Sequence, residues 1–235
     1  MLPPTELYNE GWLLRLVLDW FERQRAHEHV LSFLPGARWY SEALLAPAFL
    51  AEKRGDPRAE AYTHADGIIG HFAVHPGERS EATLLPDARQ LVIVEAKLGS
   101  TLSPGVRNAP GYDQAARTVA CMANMLFQKD VRPESLERLG FYIVAPRRQI
   151  AAGVFGGRVS KDSIRAQVVR RVAQYRGERD TWLREAFEPT LGCIELGVLP
   201  WESLIEYIQS EEPQSGLLAF YERCIAYNLG PSHLK

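Results

Sequence analysis

Apolar positions recur at helical spacing near the start of the chain, where Leu7, Trp12, Leu13, Leu16, Val17 and Trp20 predict an amphipathic helix over 7–27. Pro35-Gly36 interrupts that pattern. The stripe Trp39, Ala43, Ala46, Phe49 predicts a second helix over 38–53, kinked or restarted at Pro47. Residues 60–74 turn strand-like, with glycines that predict a bend or bulge. A polar connection over 75–87, read as a hairpin loop, leads into the apolar run 90–98, which predicts a buried strand. A loop over 100–111 follows, then a helix over 112–128 whose Ala, Met and Cys content suits close packing on a sheet. Residues 139–145 predict another buried strand, ended by Pro146. An Arg-rich helix over 162–187, a short strand over 193–196 and closing helices over 201–210 and 217–228 complete the chain. The order α-α-β-β-α-β-α-β-α-α predicts an α/β fold, a small mixed β-sheet flanked by α-helices. The expected organisation is a single domain over 1–235. Within it, 1–35 packs as an N-terminal helix on the core, and 188–235 forms a C-terminal helical extension.

Two charges interrupt the strand Leu-Val-Ile-Val-Glu-Ala-Lys-Leu at 91–98. Successive strand side chains alternate faces, so Glu95 and Lys97 project from the same side. Burying either is costly unless it is paired, hydrogen-bonded or bound to metal. The choice of lysine is informative, because the chain holds 22 Arg and only five Lys. Unlike Arg, Lys is a compact point charge whose pKa is tunable. Chemistry is the better reading of this strand.

Composition narrows the classes around it. At 46% hydrophobic, 235 residues suffice for one sizeable core. A formal charge of −2 excludes a uniformly basic polyanion binder but leaves room for a local basic groove. No apolar run approaches the ~20 residues that span a bilayer, and the N-terminus carries no signal-peptide pattern. Cys121, Cys193 and Cys224 are far apart and odd in number, which predicts neither disulfide framework nor zinc knuckle and favours a cytoplasmic location. There is no Gly-x-Ser-x-Gly elbow, Walker-type loop or dinucleotide-binding glycine pattern.

Asp66, within the preceding apolar strand, is the candidate partner of Glu95 and Lys97. Two hard oxygen ligands with a backbone carbonyl and room for water suit Mg²⁺. Asp66, a connection, then Glu95-Ala96-Lys97 on an apolar strand resembles the PD-(D/E)xK nuclease superfamily. An acidic-x-Lys tripeptide arises about once by chance in a chain of this length; its place inside an apolar strand carries the weight. The resemblance covers roughly residues 38–170. It implies a restriction-endonuclease-like core of order α-β-β-β-α-β, one strand more before the second helix than the pattern gives unless 60–74 splits at its glycines. Ala65 stands where many members have proline. The resemblance also implies Mg²⁺ or Mn²⁺ held by Asp66 and Glu95, a lysine, Lys97, that positions or polarises the attacking water, and often a glutamate from a preceding helix.

Glu42 is the candidate for that glutamate, since its neighbours place it within an apolar stripe; a helix-edge pair with Arg38 explains it equally well. Gln114 and Arg117 open the helix after the loop, where several nuclease branches place polar residues near the metal or the nucleic-acid backbone; an ordinary solvated helix start is the plainer explanation. His64, His71 and His75 lack a helical His pair or cysteine companion, so satisfied strand histidines are preferred to a zinc centre. Arg165, Arg176 and Arg179 belong to a basic run between 147 and 179, either a solvated helix face or a phosphate track.

The expected activity is metal-dependent phosphodiester hydrolysis of nucleic acid, with DNA the favoured substrate, no membrane association, and a homodimer in keeping with nucleases of this size. Its rivals are a catalytically silent binding module for nucleic acid or protein, and a hydrolase using Asp66 and Glu95 as an acid–base pair on a sugar or ester.

Overall fold

A computed structural model describes residues 3–24, 28–50, 56, 58–74, 81–106 and 108–229, so the His75 reading and the ends of the 38–53 and 75–87 readings fall outside the described residues. In chain order the elements are α1 (Pro4–Leu7), α2 (Glu10–Arg23), β1 (Arg38–Leu45), β2 (Thr63–Gly70), β3 (Phe72–Val74), β4 (Ala82–Leu84) and β5 (Gln90–Ala96). The hairpin β6 (Gly105–Val106) and β7 (Ala109–Pro110) precedes α3 (Gln114–Gln128) and β8 (Arg138–Ala145). Then come α4 (Arg147–Ala151), α5 (Lys161–Ala173), α6 (Asp180–Trp182), α7 (Glu188–Cys193), β9 (Glu195–Pro200), α8 (Trp201–Glu211) and α9 (Leu217–Asn228).

The central sheet has five strands in the order β1-β2-β5-β8-β9. The first three are antiparallel neighbours, whereas β5, β8 and β9 run parallel. A parallel neighbour requires a long crossover: α3 carries the chain from β5 to β8, and the helical segment α4–α7 carries it from β8 to β9. Two apolar layers sandwich the sheet. One joins α3, α5 and α7 to Leu91, Ile93, Phe141 and Ile143. The other joins α2, α8 and α9 to Val92, Val94, Tyr142 and Val144. Alternation along β5 and β8 therefore feeds both layers, and the strands read as continuous apolar runs because both faces are covered. No helix among the described residues is long and apolar enough to cross a membrane.

The sequence expectation fails at 38–53, where the predicted helix is the strand β1. The physical reason lies at Glu42, whose φ of 57° puts a non-glycine residue in the left-handed region within a strand. Before it, Ala37 and Trp39 pack in the α2 layer; after it, Ala43 and Leu45 pack in the α3 layer. Odd-numbered positions change face at this residue, so the period-2 signature is lost and a helical stripe appears in its place. The chain therefore has one more sheet strand before α3 than the sequence pattern gives. The bend expected of the glycines in 60–74 falls at Gly70, which ends β2, and β3 pairs with β4 in a separate two-stranded sheet.

A second correction concerns 162–187, which is not one helix. Helix α5 ends at Ala173, and the chain turns through left-handed Arg176 and Gly177 before α6. The C-terminal segment packs as helices α8 and α9, yet it also gives the sheet its edge strand β9, two to four residues beyond the expected strand.

Candidate active site

The β2–β5 ladder stops at Gly67 opposite Val94. One step on, the chains separate, and the Asp66 side chain takes over as hydrogen-bond acceptor: its Oδ2 receives the Ala96 N–H at 2.8 Å. Glu95 and Lys97 project toward α3, on the same face as Leu91 and Ile93. The backbone of Lys97 is fixed on both sides. Its N–H donates to the Val144 carbonyl at 2.8 Å, and its carbonyl accepts from the Trp201 indole at 2.9 Å.

The three side chains converge. Lys97 Nζ lies 3.4 Å from Glu95 Oε2 and 3.7 Å from Asp66 Oδ2. Gln114, in the first turn of α3, donates from Nε2 to Glu95 Oε2 at 2.6 Å. Helix α3 is aimed there by its cap: Asp113 accepts the Ala116 N–H, and Gln167 of α5 grips both the N–H and the carboxylate of Asp113. Glu95 is fully buried, and its Oε1 has no hydrogen-bond partner among the described residues. Burial, and next the negative charge of Asp66, pushes the Glu95 carboxyl well above its ordinary value, against the opposing pull of Lys97. A buried orphan oxygen beside a second carboxylate matches the donor chemistry of a hard divalent cation.

Comparison with protein-family models, with curated proteins and with solved structures returns no match. The functional reading therefore rests on the residues themselves.

Of the residues singled out in the sequence, Asp66, Glu95, Lys97 and Gln114 are brought together. Glu42 is not. It lies on β1 rather than a helix, across from Asp66 in register but exposed, and no group of three or more potential metal-binding side chains exists among the described residues. Arg117 sits one turn beyond Gln114 on α3. Arg165 is ion-paired with Glu188 at 3.0 Å, Arg176 occupies the exposed turn after α5, and Arg179 lies against the Tyr175 ring, so the three share no single helix face. His71 is a satisfied structural residue: Nδ1 accepts the Arg89 and Gln90 N–H groups, and Nε2 meets the Pro35 carbonyl. His64 is exposed.

Sequence reasoning missed two supports. The Asp113 cap carries a signal, a capping aspartate directly before a periodic apolar run. The Trp201 bond to Lys97, 104 positions away, has no local signal at all.

Proposed function

We propose that this chain is a divalent-metal-dependent phosphodiesterase acting on nucleic acid, with DNA the first substrate to test. The observation that carries the reading is the fully buried Glu95, with one oxygen unpartnered among the described residues, beside Asp66 and Lys97. The element order α2, β1, β2, β5, α3, β8 supports it, being the order that the PD-(D/E)xK resemblance implies.

Asp66 and the free Oε1 of Glu95 would hold Mg²⁺ or Mn²⁺, with the Ala96 carbonyl as a backbone donor. When bound, the cation supplies Lewis acidity toward the phosphate and the attacking water. Lys97 orients that water by hydrogen bonding and places a positive charge beside the pentavalent transition state. Gln114 fixes the second oxygen of Glu95, leaving the first free for the metal. Trp201 and Val144 hold the Lys97 backbone, so the ammonium does not swing away. Chemistry of this kind acts on the backbone, and any sequence preference comes from elsewhere in the molecule. Cytoplasmic location belongs to the same reading.

The test pairs calorimetric titration of Mg²⁺ and Mn²⁺ with a cleavage assay on single-stranded and duplex DNA and on RNA. Metal binding and cleavage that both vanish in Asp66→Asn support the reading; cleavage that persists in chelator defeats it. A silent binding module for a protein partner is the second reading, favoured by the engagement of Arg165 with Glu188 and Arg171 with Glu60, which leaves fewer cations for phosphate. Absence of both strand binding and cleavage with every metal would select it.

A further inference from the structure

Beyond Asp66, at the end of the sheet where β5 stops, a cavity of about 360 Å³ is lined by Glu60, Tyr62, Val106, Asn108 and Arg117. Its size falls in the ~300–1,000 Å³ range of small-molecule sites. The Nε of Arg117 is buried and has no hydrogen-bond partner among the described residues. Buried polar groups are nearly always satisfied, so an orphan guanidinium N–H on a side chain that lines a cavity calls for a partner. The one carboxylate on the wall among the described residues, Glu60, already receives Arg171 Nε at 2.7 Å. Glu60 is thus engaged by Arg171, while the Nε of Arg117 has no hydrogen-bond partner among the described residues.

The placement ties this cavity to the candidate active site. Arg117 follows Gln114 by three residues on α3, on the same side of the helix and about 4.5 Å further along its axis. Tyr62 leads directly into β2, which carries Asp66. The hairpin β6–β7 supplies Val106 and Asn108 as the opposite rim. A planar guanidinium binds phosphate by a fork of N–H donors, Tyr62 brings an aromatic ring to the wall, and Asn108, whose Nδ2 donates to the Ala59 carbonyl at 3.1 Å, brings an amide.

We propose that this cavity is a subsite for one unpaired nucleotide next to the cleaved bond, with Arg117 on its phosphate and Tyr62 against its base. The inference rests on the nuclease reading and narrows it to substrates with unpaired strands. A paired duplex keeps its bases stacked and presents phosphates on a convex surface, so it fills the cavity only after a base is extruded. A single strand has no such cost, and any base has a π-face to stack.

The experiment measures binding of fluorescein-labelled DNA to the full chain carrying Asp66→Asn, which leaves the strand uncut. The probes are a single strand of about ten nucleotides and the same sequence as a blunt duplex. The single strand should bind about tenfold more tightly, and Arg117→Gln should remove that advantage while leaving duplex affinity unchanged. Asn108→Trp keeps the charge, fills the mouth from an exposed hairpin and should show the same selective loss. Equal losses on both probes, or none on either, would overturn the subsite. A separate titration of deoxyadenosine 5′-monophosphate follows the Arg117 Nε–H resonance. A shift in a protein that never cleaves DNA keeps the subsite and removes the nuclease reading. Cleavage with an unmoved resonance and undiminished Arg117→Gln binding removes the subsite alone.

Discussion

Two buried carboxylates in this molecule are surrounded very differently. Glu60 receives Arg171 Nε at 2.7 Å, and the remaining Arg171 donors go to Gln174, Tyr175 and the Arg58 carbonyl. The guanidinium also lies over the Phe49 and Tyr175 rings, and only 2% of the residue is exposed. Each of the three guanidinium nitrogens of Arg171 has an acceptor. Glu95 is buried just as deeply, yet its cation is a lysine at 3.4 Å, its neighbour is a second carboxylate, and one oxygen has no partner among the described residues. A buried ion pair that serves structure is closed with hydrogen bonds. One left open, with like charges together, is held in place by the rest of the fold for another purpose.

The largest expected effect tests the closed pair. Arg171→Ala leaves Glu60 charged and buried, which should cost about 3–5 kcal/mol of folding stability. Chemical denaturation should show it as a lower midpoint. A variant as stable as the parent would mean that Glu60 simply takes up a proton and that the pair is not structural.

Next in size is the open cluster. Asp66→Asn and Lys97→Ala should each lower cleavage roughly 10²–10³-fold. Asp66→Asn should hold or raise the melting temperature, because it removes the like charge beside Glu95. Lys97→Ala should lower it less than Arg171→Ala does, because the already raised Glu95 carboxyl takes up a proton. Should both melt much earlier than the parent, the cluster is a structural ion pair like its counterpart, and the comparison collapses.

The pH dependence sharpens the contrast further. The folded state raises the Glu95 carboxyl, so it binds a proton more readily than the unfolded chain does. Its contribution to stability is therefore complete below the ordinary carboxylate value and is lost as pH rises through the folded one. Metal-free protein should melt progressively earlier from about pH 4 toward neutrality. Glu95→Gln should flatten that slope, though not abolish it, since burial also raises Glu60. Mg²⁺ should restore the parent at neutral pH more than the variant. Parallel pH profiles for the two proteins, with or without Mg²⁺, would remove Glu95 as the source.

How much of this was legible before the structure follows from the same contrast. The open cluster was readable because Glu95 and Lys97 break an apolar strand, and charges there stand out against Val and Ile. The closed pair was invisible. Arg171 sits among Arg165, Arg170 and Arg176, a run that reads as a solvated face, and its partner lies 111 positions away. Strand β5 was found because both its faces are apolar, whereas β1 was mistaken for a helix because its buried side switches at Glu42. Gly197 and Pro200 dilute the strand pattern of β9, so only its start was located.

Glu42 carries the smallest effect and bears on the edge of the open cluster. A non-glycine residue in the left-handed region costs about 1–2 kcal/mol, partly offset here because glycine loses more backbone entropy on folding, about 0.5–1 kcal/mol. Glu42→Gly should therefore be neutral or stabilising by up to about 1 kcal/mol. Glu42→Val should be destabilising by a similar amount, although valine is the better strand former, because branching at Cβ suits a positive φ least. Thermal melts of the two variants separate backbone strain from strand propensity, and a valine variant more stable than the glycine one would refute the strain account. Cleavage should be unchanged in Glu42→Gly, since the carboxylate is exposed and stands apart from Asp66 and Glu95. A loss of about tenfold or more in a protein that melts normally would instead make Glu42 a working third carboxylate, drawn in from β1 once metal is bound.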